Sequence, residues 1–284
     1  MIAITGATGQ LGQRVIDTLL NTVAAQEIVA IVRNPAKAAA LSARGVQVRA
    51  ADYNDVAALT AALAGVEKLL LISSSEVGQR APQHRNVIDA AKTAGVKLIA
   101  YTSLLHADRS PLGLAAEHVA TEKMLADAGV PYVLLRNGWY TENYLASVPP
   151  ALEHGVFIGS AGDGKIASAS RQDYAEAAAK VLTLDNQAGR VYELAGDHAW
   201  TLRDLTALLS KETGKTVAYQ NLSEADFAAA LTGAGLPEGF AKLLADSDVG
   251  ASKGGLFDDS RQLSALIGRP TTSLEASLRE SLKP

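Results

Sequence analysis

Three glycines in the spacing Gly6-x-x-Gly9-x-x-Gly12 stand between an apolar run, Ile2-Ala3-Ile4-Thr5, and an amphipathic segment that starts near Leu11. A strand that ends in a tight turn needs a residue tolerant of positive φ, and Gly6 supplies it. A helix N-terminus offers unsatisfied N–H groups and the positive end of its dipole, which invites an anion. Gly9 lets backbone approach a pyrophosphate there, and Gly12 lets the helix lie close on the strand. The loop Gly6-Ala7-Thr8-Gly9-Gln10-Leu11-Gly12 therefore predicts a dinucleotide-binding β-α-β start. The alternative is a glycine-rich turn with no ligand.

The same rhythm continues through the first half of the chain. Apolar runs at 28–32, 46–50, 66–73, 96–101 and 132–136 alternate with helical patterns at 35–44, 56–63, 79–94 and 114–128. The runs carry little polar alternation, as expected of strands covered on both faces. Gly45, Gly65, Gly95 and Gly129 sit where helices would close in a left-handed cap. These features predict an α/β fold of the Rossmann type: a doubly wound parallel sheet over residues 1–136, rejoined by a strand at 190–195. Residues 137–189 and 196–284 are assigned to a smaller, mostly helical substrate-binding lobe, with a helix at 173–184 that Asp173 caps and a strand near 217–220.

Composition narrows the function classes. Hydrophobic residues make up 48% and charged residues 20% of the chain, within the range of ordinary globular proteins. A net charge of −4 without a Lys/Arg stripe argues against a nucleic-acid partner. With no cysteine there is no disulfide, thiolate metal site or cysteine nucleophile. His84, His106, His118, His154 and His198 form no metal spacing, so no metal is expected. No apolar run is long enough to span a bilayer, and no basic-then-apolar leader precedes the first strand. A soluble cytoplasmic protein, monomer or homodimer, is the expectation.

In such a sheet the segments after each strand converge on the ligand. Arg33 follows the second strand, where NAD-specific sites usually place an acid for the ribose 2′-hydroxyl. An arginine there predicts a 2′-phosphate and hence NADPH, with NADH weaker; the alternative is a solvated surface arginine. Asp52 could face the adenine amine or serve as a turn or capping residue beside Asn54 and Asp55. Ser73, Ser74 and Ser75 are small hydroxyls placed to line the cofactor, or else plain turn residues. Tyr101, Thr102, Asn137, Trp139 and Tyr140 lie at strand ends facing the same site. Tyr101, Thr102 and Tyr140 are the candidate contacts for a flat acceptor, and Trp139 and Tyr140 could equally be core residues.

The stretches Ile4-Thr5-Gly6-Ala7-Thr8-Gly9-Gln10-Leu11-Gly12, Ile31-Val32-Arg33-Asn34, Ala100-Tyr101-Thr102-Ser103 and Leu135-Arg136-Asn137-Gly138-Trp139-Tyr140 resemble the NmrA-like group of atypical short-chain dehydrogenases. The resemblance runs over essentially the whole chain. It is nearest to bacterial NAD(P)H:quinone oxidoreductases and more distant to triphenylmethane-dye reductases. It implies that Gly6–Leu11, Arg33, Ser73–Ser75, Asn137, Gly138, Trp139, Tyr140, Thr141, Glu142 and Arg171 contact NADPH. It also implies a cleft between the lobes for an aromatic acceptor.

Ordinary short-chain dehydrogenases carry Tyr-x-x-x-Lys after the fifth strand, a pair that manages the proton of an alcohol or carbonyl. Here the corresponding places hold His118 and Glu122. Lys123 lies about 100° further around the helix and does not replace the lysine. A quinone avoids the need for that pair, because direct hydride transfer makes it aromatic and proximity is the main requirement. His118 is the candidate for proton help, with helix packing as its alternative role. Three functions follow: a two-electron quinone reductase using NADPH, a non-catalytic NADP(H) sensor of the NmrA type, or a reductase of cationic dyes.

Overall fold

A computed structural model of the chain describes residues 1–283. In chain order the elements are β1 (Ile2–Ile4), α1 (Gln10–Leu19), β2 (Ile28–Val32), α2 (Ala39–Ala43), β3 (Gln47–Ala50), α3 (Val56–Ala62), β4 (Lys68–Leu71), α4 (Arg80–Ala94), β5 (Leu98–Leu104), α5 (Ala115–Ala128) and β6 (Tyr132–Asn137). They continue as α6 (Thr141–Leu145), α7 (Val148–His154), β7 (Val156–Gly159), α8 (Arg171–Thr183), β8 (Val191–Leu194), α9 (Leu202–Thr213), β9 (Ala218–Asn221), α10 (Glu224–Gly233), α11 (Glu238–Ser252), α12 (Gln262–Ile267) and α13 (Leu274–Ser281).

Seven strands form one sheet in the order β3-β2-β1-β4-β5-β6-β8, and the pairs from β3 to β6 are parallel. The order reverses between β1 and β4, which is the switch point where a doubly wound sheet opens a crevice at its carboxyl edge. Thr5 ties the two strands there. Its hydroxyl donates to Leu70 O at 3.2 Å and accepts from the Ile72 N–H at 3.0 Å. β2 and β5 are buried along their whole length, as their unbroken apolar pattern requires.

Contacts divide the chain into two compact units. The first comprises Met1–Leu104, Ala116–Asn137 and Arg171–Tyr192. Its core gathers Leu59 and Leu63, Val87 and Ile88, Ile99 and Tyr101, Leu125 and Leu134. α1 packs on α8 and α3 on α4. Helix ends follow local chemistry: Asp55 caps α3 by accepting from the Ala58 N–H at 2.9 Å, and Gly95 closes α4 with φ +77.

The second unit takes Leu105–Ala115, Gly138–Ser170 and the chain from Glu193 onward. It holds a two-stranded parallel sheet, β7 beside β9, with Val156 opposite Ala218 and Gly159 opposite Asn221. α9 opens on a reciprocal cap, Thr201 with Asp204. Asp248 on α11 accepts from the Ser160 N–H at 2.8 Å, and burial pushes its carboxyl up to about 6.

Several expectations need correcting. The segment 35–44 is not one helix. Asn34 accepts from the Ala36 N–H at 3.0 Å and Pro35 starts a 3-10 turn, Pro35–Ala38, before the short α2. β5 runs to Leu104, past 101, because Thr102 and Ser103 stay in register with Leu135 and Arg136. α8 starts at Arg171, so Asp173 lies inside its first turn and not at its start. The sequence places 137–189 with the smaller lobe, but α8 belongs to the first unit, where Gln172 Nε2 donates to Thr18 Oγ1 on α1 at 3.3 Å.

Candidate functional site

The glycine loop has the shape its spacing predicts. Gly6 has φ +59, and the Gly9 N–H donates back to Gly6 O at 2.9 Å. A Cβ on Gly9 would meet Gly6 O at 3.1 Å. A Cβ on Gly12 would meet Gly6 O at 2.4 Å and Ala7 Cα at 2.8 Å. Gly12 therefore excludes a side chain by contact with backbone, Gly9 leaves a Cβ only a tight contact, and Gly6 disfavours one through its backbone angle. Gly9 is the N-cap of α1 and brings no side chain to satisfy the first turn, which also lacks an acid. The first N–H groups of that helix have no intrahelical acceptor. Ala7 and Leu11 are buried, Thr8 is half-buried, and Gly6, Gly9 and Gln10 are exposed. This cradle fits a pyrophosphate.

Arg33, just past β2, is 66% exposed and forms an ion pair with Glu76, where its Nη1 donates to Oε1 at 2.8 Å. Asp52 acts in a turn, accepting from the Asn54 N–H at 2.8 Å. The loop between β4 and α4 is tied down along its length. The Ser73 N–H donates to Thr102 Oγ1 at 2.8 Å, and the Ser74 N–H donates to His84 Nε2 at 2.9 Å. The Gly78 N–H donates to Glu117 Oε1 at 2.9 Å, and Arg80 Nε donates to Ser74 O at 2.6 Å. Ser73 is half-buried, Ser74 buried and Ser75 exposed.

Beneath that loop lies a buried polar network on α4, β5 and α5. Thr121 donates to Glu117 O, so His84 Nδ1–H must donate to Thr121 Oγ1, at 2.9 Å. That leaves Nε2 as the acceptor for Ser74, and burial, aided by Arg80, lowers the His84 pKa to about 3. His118 has the same tautomer. Arg80 Nη1 lies 3.2 Å from its Nε2 and can only donate, so Nδ1–H donates to Tyr101 Oη at 2.8 Å.

These contacts correct three expectations. His118 is buried, and desolvation, with Arg80 and His84, lowers its pKa to about 3. It is a neutral imidazole with both nitrogens engaged, not a proton donor poised near 6.5. Tyr101 is 0% exposed, and burial holds its phenol well above its ordinary range. Thr102 is 3% exposed and spends its hydroxyl on Ser73. Tyr101 and Thr102 support the β4–α4 loop from the core; they do not present a face to an acceptor.

Glu122, at the place of the dehydrogenase lysine, is engaged too. Its two oxygens accept from Arg136 Nε at 3.0 Å and Nη2 at 2.7 Å, and Oε1 also accepts from Ser103 Oγ at 2.5 Å. The two side chains are only 11% and 12% exposed.

At the end of β6, Asn137 is buried and its Oδ1 has no hydrogen-bond partner. An orphaned amide oxygen at the carboxyl edge of the sheet fits a donor on a bound molecule. In the second unit the chain continues through Gly138, whose N–H donates to Leu194 O at 2.7 Å. Tyr140 bridges Ala169, and Thr141 shares a 2.7 Å hydrogen bond with Ser168. Trp139, Tyr140 and Glu142 are half-buried there, as is Arg171 in the first unit.

The sequence did not reveal Glu76, Arg80 or His84 as part of this site. Glu76 lies 43 residues from Arg33, and its one visible signal is a charge in the loop after the fourth strand. Among the described residues no group of His, Cys, Asp or Glu could hold a metal ion, and no helix is long and apolar enough to cross a membrane.

The chain and its fold are similar to those of known proteins. Quinone oxidoreductase 2 of Escherichia coli is 74% identical over 278 residues, covering 98% of this chain and 97% of the relative. The crystal structure of the NADPH-dependent quinone oxidoreductase of Escherichia coli complexed with NADPH matches with a TM-score of 0.98 and 73% identity, covering 100% of both chains. Triphenylmethane reductase of Citrobacter sp. complexed with NADP(H) matches with a TM-score of 0.95 and 40% identity, covering 99% of this chain and 100% of that one. The NmrA-like family profile matches residues 1–276, and the chain belongs to that family.

Proposed function

We propose that the protein is an NADPH-dependent quinone oxidoreductase that reduces its acceptor by two electrons without a Tyr/Lys pair. The observation that carries this is the fate of that pair. His118 is a buried neutral imidazole and Glu122 is locked to Arg136, so neither is arranged to exchange a proton with a carbonyl oxygen. Relatives at 74%, 73% and 70% identity are named for quinone reduction.

When bound, NADPH supplies a hydride, which a quinone takes together with a proton from water to leave as the quinol. The chain's own part is to bind and orient. Gly6, Ala7, Thr8, Gln10 and Leu11 offer backbone N–H groups and the α1 dipole to the pyrophosphate, and Gly9, whose own N–H is spent on Gly6 O, lets it approach the backbone. Arg33 offers its guanidinium to the 2′-phosphate. Asn137 contributes its unpartnered Oδ1 as an acceptor. Ser73, Ser74 and Ser75, the stretch from Gly138 to Glu142, and Arg171 complete the contacts that family membership implies, and Tyr140 is the aromatic candidate for the acceptor. The network of His84, His118, Tyr101 and Thr102 ties the β4–α4 loop and Arg80 to the core through hydrogen bonds. We place the enzyme in the cytoplasm.

Arg33→Ala tests the cofactor half of the proposal. A charge-assisted hydrogen bond of about 1.5–3 kcal/mol corresponds to roughly a 10- to 100-fold loss in kcat/KM with NADPH. The value with NADH should stay within about twofold, because its 2′-hydroxyl does not call on the charge. Equal losses with both nucleotides would remove Arg33 from the site.

Triphenylmethane dyes are the second acceptor class, favoured by the 40% identity to the Citrobacter enzyme. A mutant NmrA matches at 18% identity, which speaks for the fold alone.

A further inference from the structure

Arg33 already has a resident anion. Its Nη1 donates to Glu76 Oε1 at 2.8 Å, joining the end of β2 to the β4–α4 loop. Glu76 is fixed from behind. Its N–H donates to Ser74 Oγ at 3.1 Å, and its Oε2 accepts from Gln83 Nε2 at 2.8 Å. Gln83 is buried, whereas the Arg33 side chain is 66% exposed. The Glu76 carboxylate, itself 43% exposed, is thus held by a second side chain, and the Arg33 guanidinium is the more exposed of the two.

Resting on the assignment of Arg33 to the 2′-phosphate, we infer that Glu76 sets nucleotide specificity by holding, as a carboxylate, the guanidinium that NADPH must recruit. A 2′-phosphate carries between one and two negative charges at neutral pH, and Glu76 carries one. Both anions draw on a single guanidinium. If they share it, two like charges sit side by side; if they exchange, the Arg33–Glu76 bond is lost. Either outcome weakens the phosphorylated dinucleotide and imposes no such penalty on the unphosphorylated one. An exposed ion pair is weak, so the phosphate still prevails, at reduced affinity. The same carboxylate suits a ribose 2′-hydroxyl, the partner that an acid at the end of the second strand ordinarily supplies. Glu76 supplies that acid from a different loop, 43 residues along the chain. Specificity is then a balance between Arg33 and Glu76, not a property of Arg33 alone.

The test is calorimetric titration of the full-length wild type, Glu76→Gln, Glu76→Ala and Arg33→Ala with NADPH, NADH and 2′,5′-ADP at low salt, with thermal melts to confirm folding. Both Glu76 variants should bind NADPH and 2′,5′-ADP about three- to fivefold more tightly, the size of one exposed ion pair. NADH should bind no more tightly than to the wild type. Unchanged or weakened NADPH binding in the Glu76 variants, with Arg33→Ala weakened, overturns the inference and leaves the Arg33 assignment standing. Unchanged NADPH binding in Arg33→Ala removes that assignment and the inference with it.

Discussion

Gly12→Ala should cripple cofactor binding and lower the melting temperature together. The added Cβ would lie 2.4 Å from Gly6 O, 2.8 Å from Ala7 Cα and 3.0 Å from Gly6 C. All three are backbone atoms, so no side-chain rotation relieves the clash. Either α1 moves away from the loop or the loop leaves the shape that presents its N–H groups to the pyrophosphate. Overpacking of this kind costs about 1–3 kcal/mol. Expressed in binding, that is roughly a 5- to 150-fold weaker Kd for NADPH. NADH should weaken to the same degree, because the pyrophosphate is common to both. Nucleotide titration of the variant, followed by nicotinamide fluorescence, checks this, and a wild-type Kd would mean that the loop does not hold the cofactor.

Glu122→Lys should strongly destabilise the first unit. It restores the residue type that ordinary short-chain dehydrogenases carry at this place, yet it should restore no activity. The Glu122 carboxylate accepts from Arg136 twice and from Ser103 once, in surroundings that leave it only 12% exposed. Breaking a buried pair from one side typically costs about 3–5 kcal/mol, and an ammonium beside Arg136 adds repulsion. For a chain of this size that corresponds to a fall of roughly 5–10 °C in Tm. The double variant Glu122→Met/Arg136→Met should recover much of the loss, since a buried ion pair and a packed apolar pair are often comparable in stability. Thermal melts of the three proteins decide the matter. A Glu122→Lys protein that melts like the wild type would show that the pair is not structural.

What the sequence revealed and what it hid follow one physical divide. The glycine cradle was legible because its constraints are local: a turn, a close approach and a helix start within seven residues. The strands were legible from unbroken apolar runs. Burial on both faces has a cost for the reader, however. With no alternation to follow, nothing in 98–104 says which face Tyr101 takes, and it went to the core beside His118. The pKa of His118 depends on what surrounds it, and Arg80 reaches it from a helix 38 residues away. The Arg33–Glu76 pair likewise exists only once β2 and the β4–α4 loop meet at one sheet edge. The helical pattern at 173–184 says nothing of which element it packs on, so chain order alone groups it with the smaller lobe, whereas α8 packs on α1.

The most direct measurement is NADPH oxidation by the purified protein with a panel of benzoquinones and naphthoquinones, with NADH in parallel. Sustained turnover that favours NADPH is the predicted result. Tight NADPH binding with no turnover on any quinone would contradict the account at its centre.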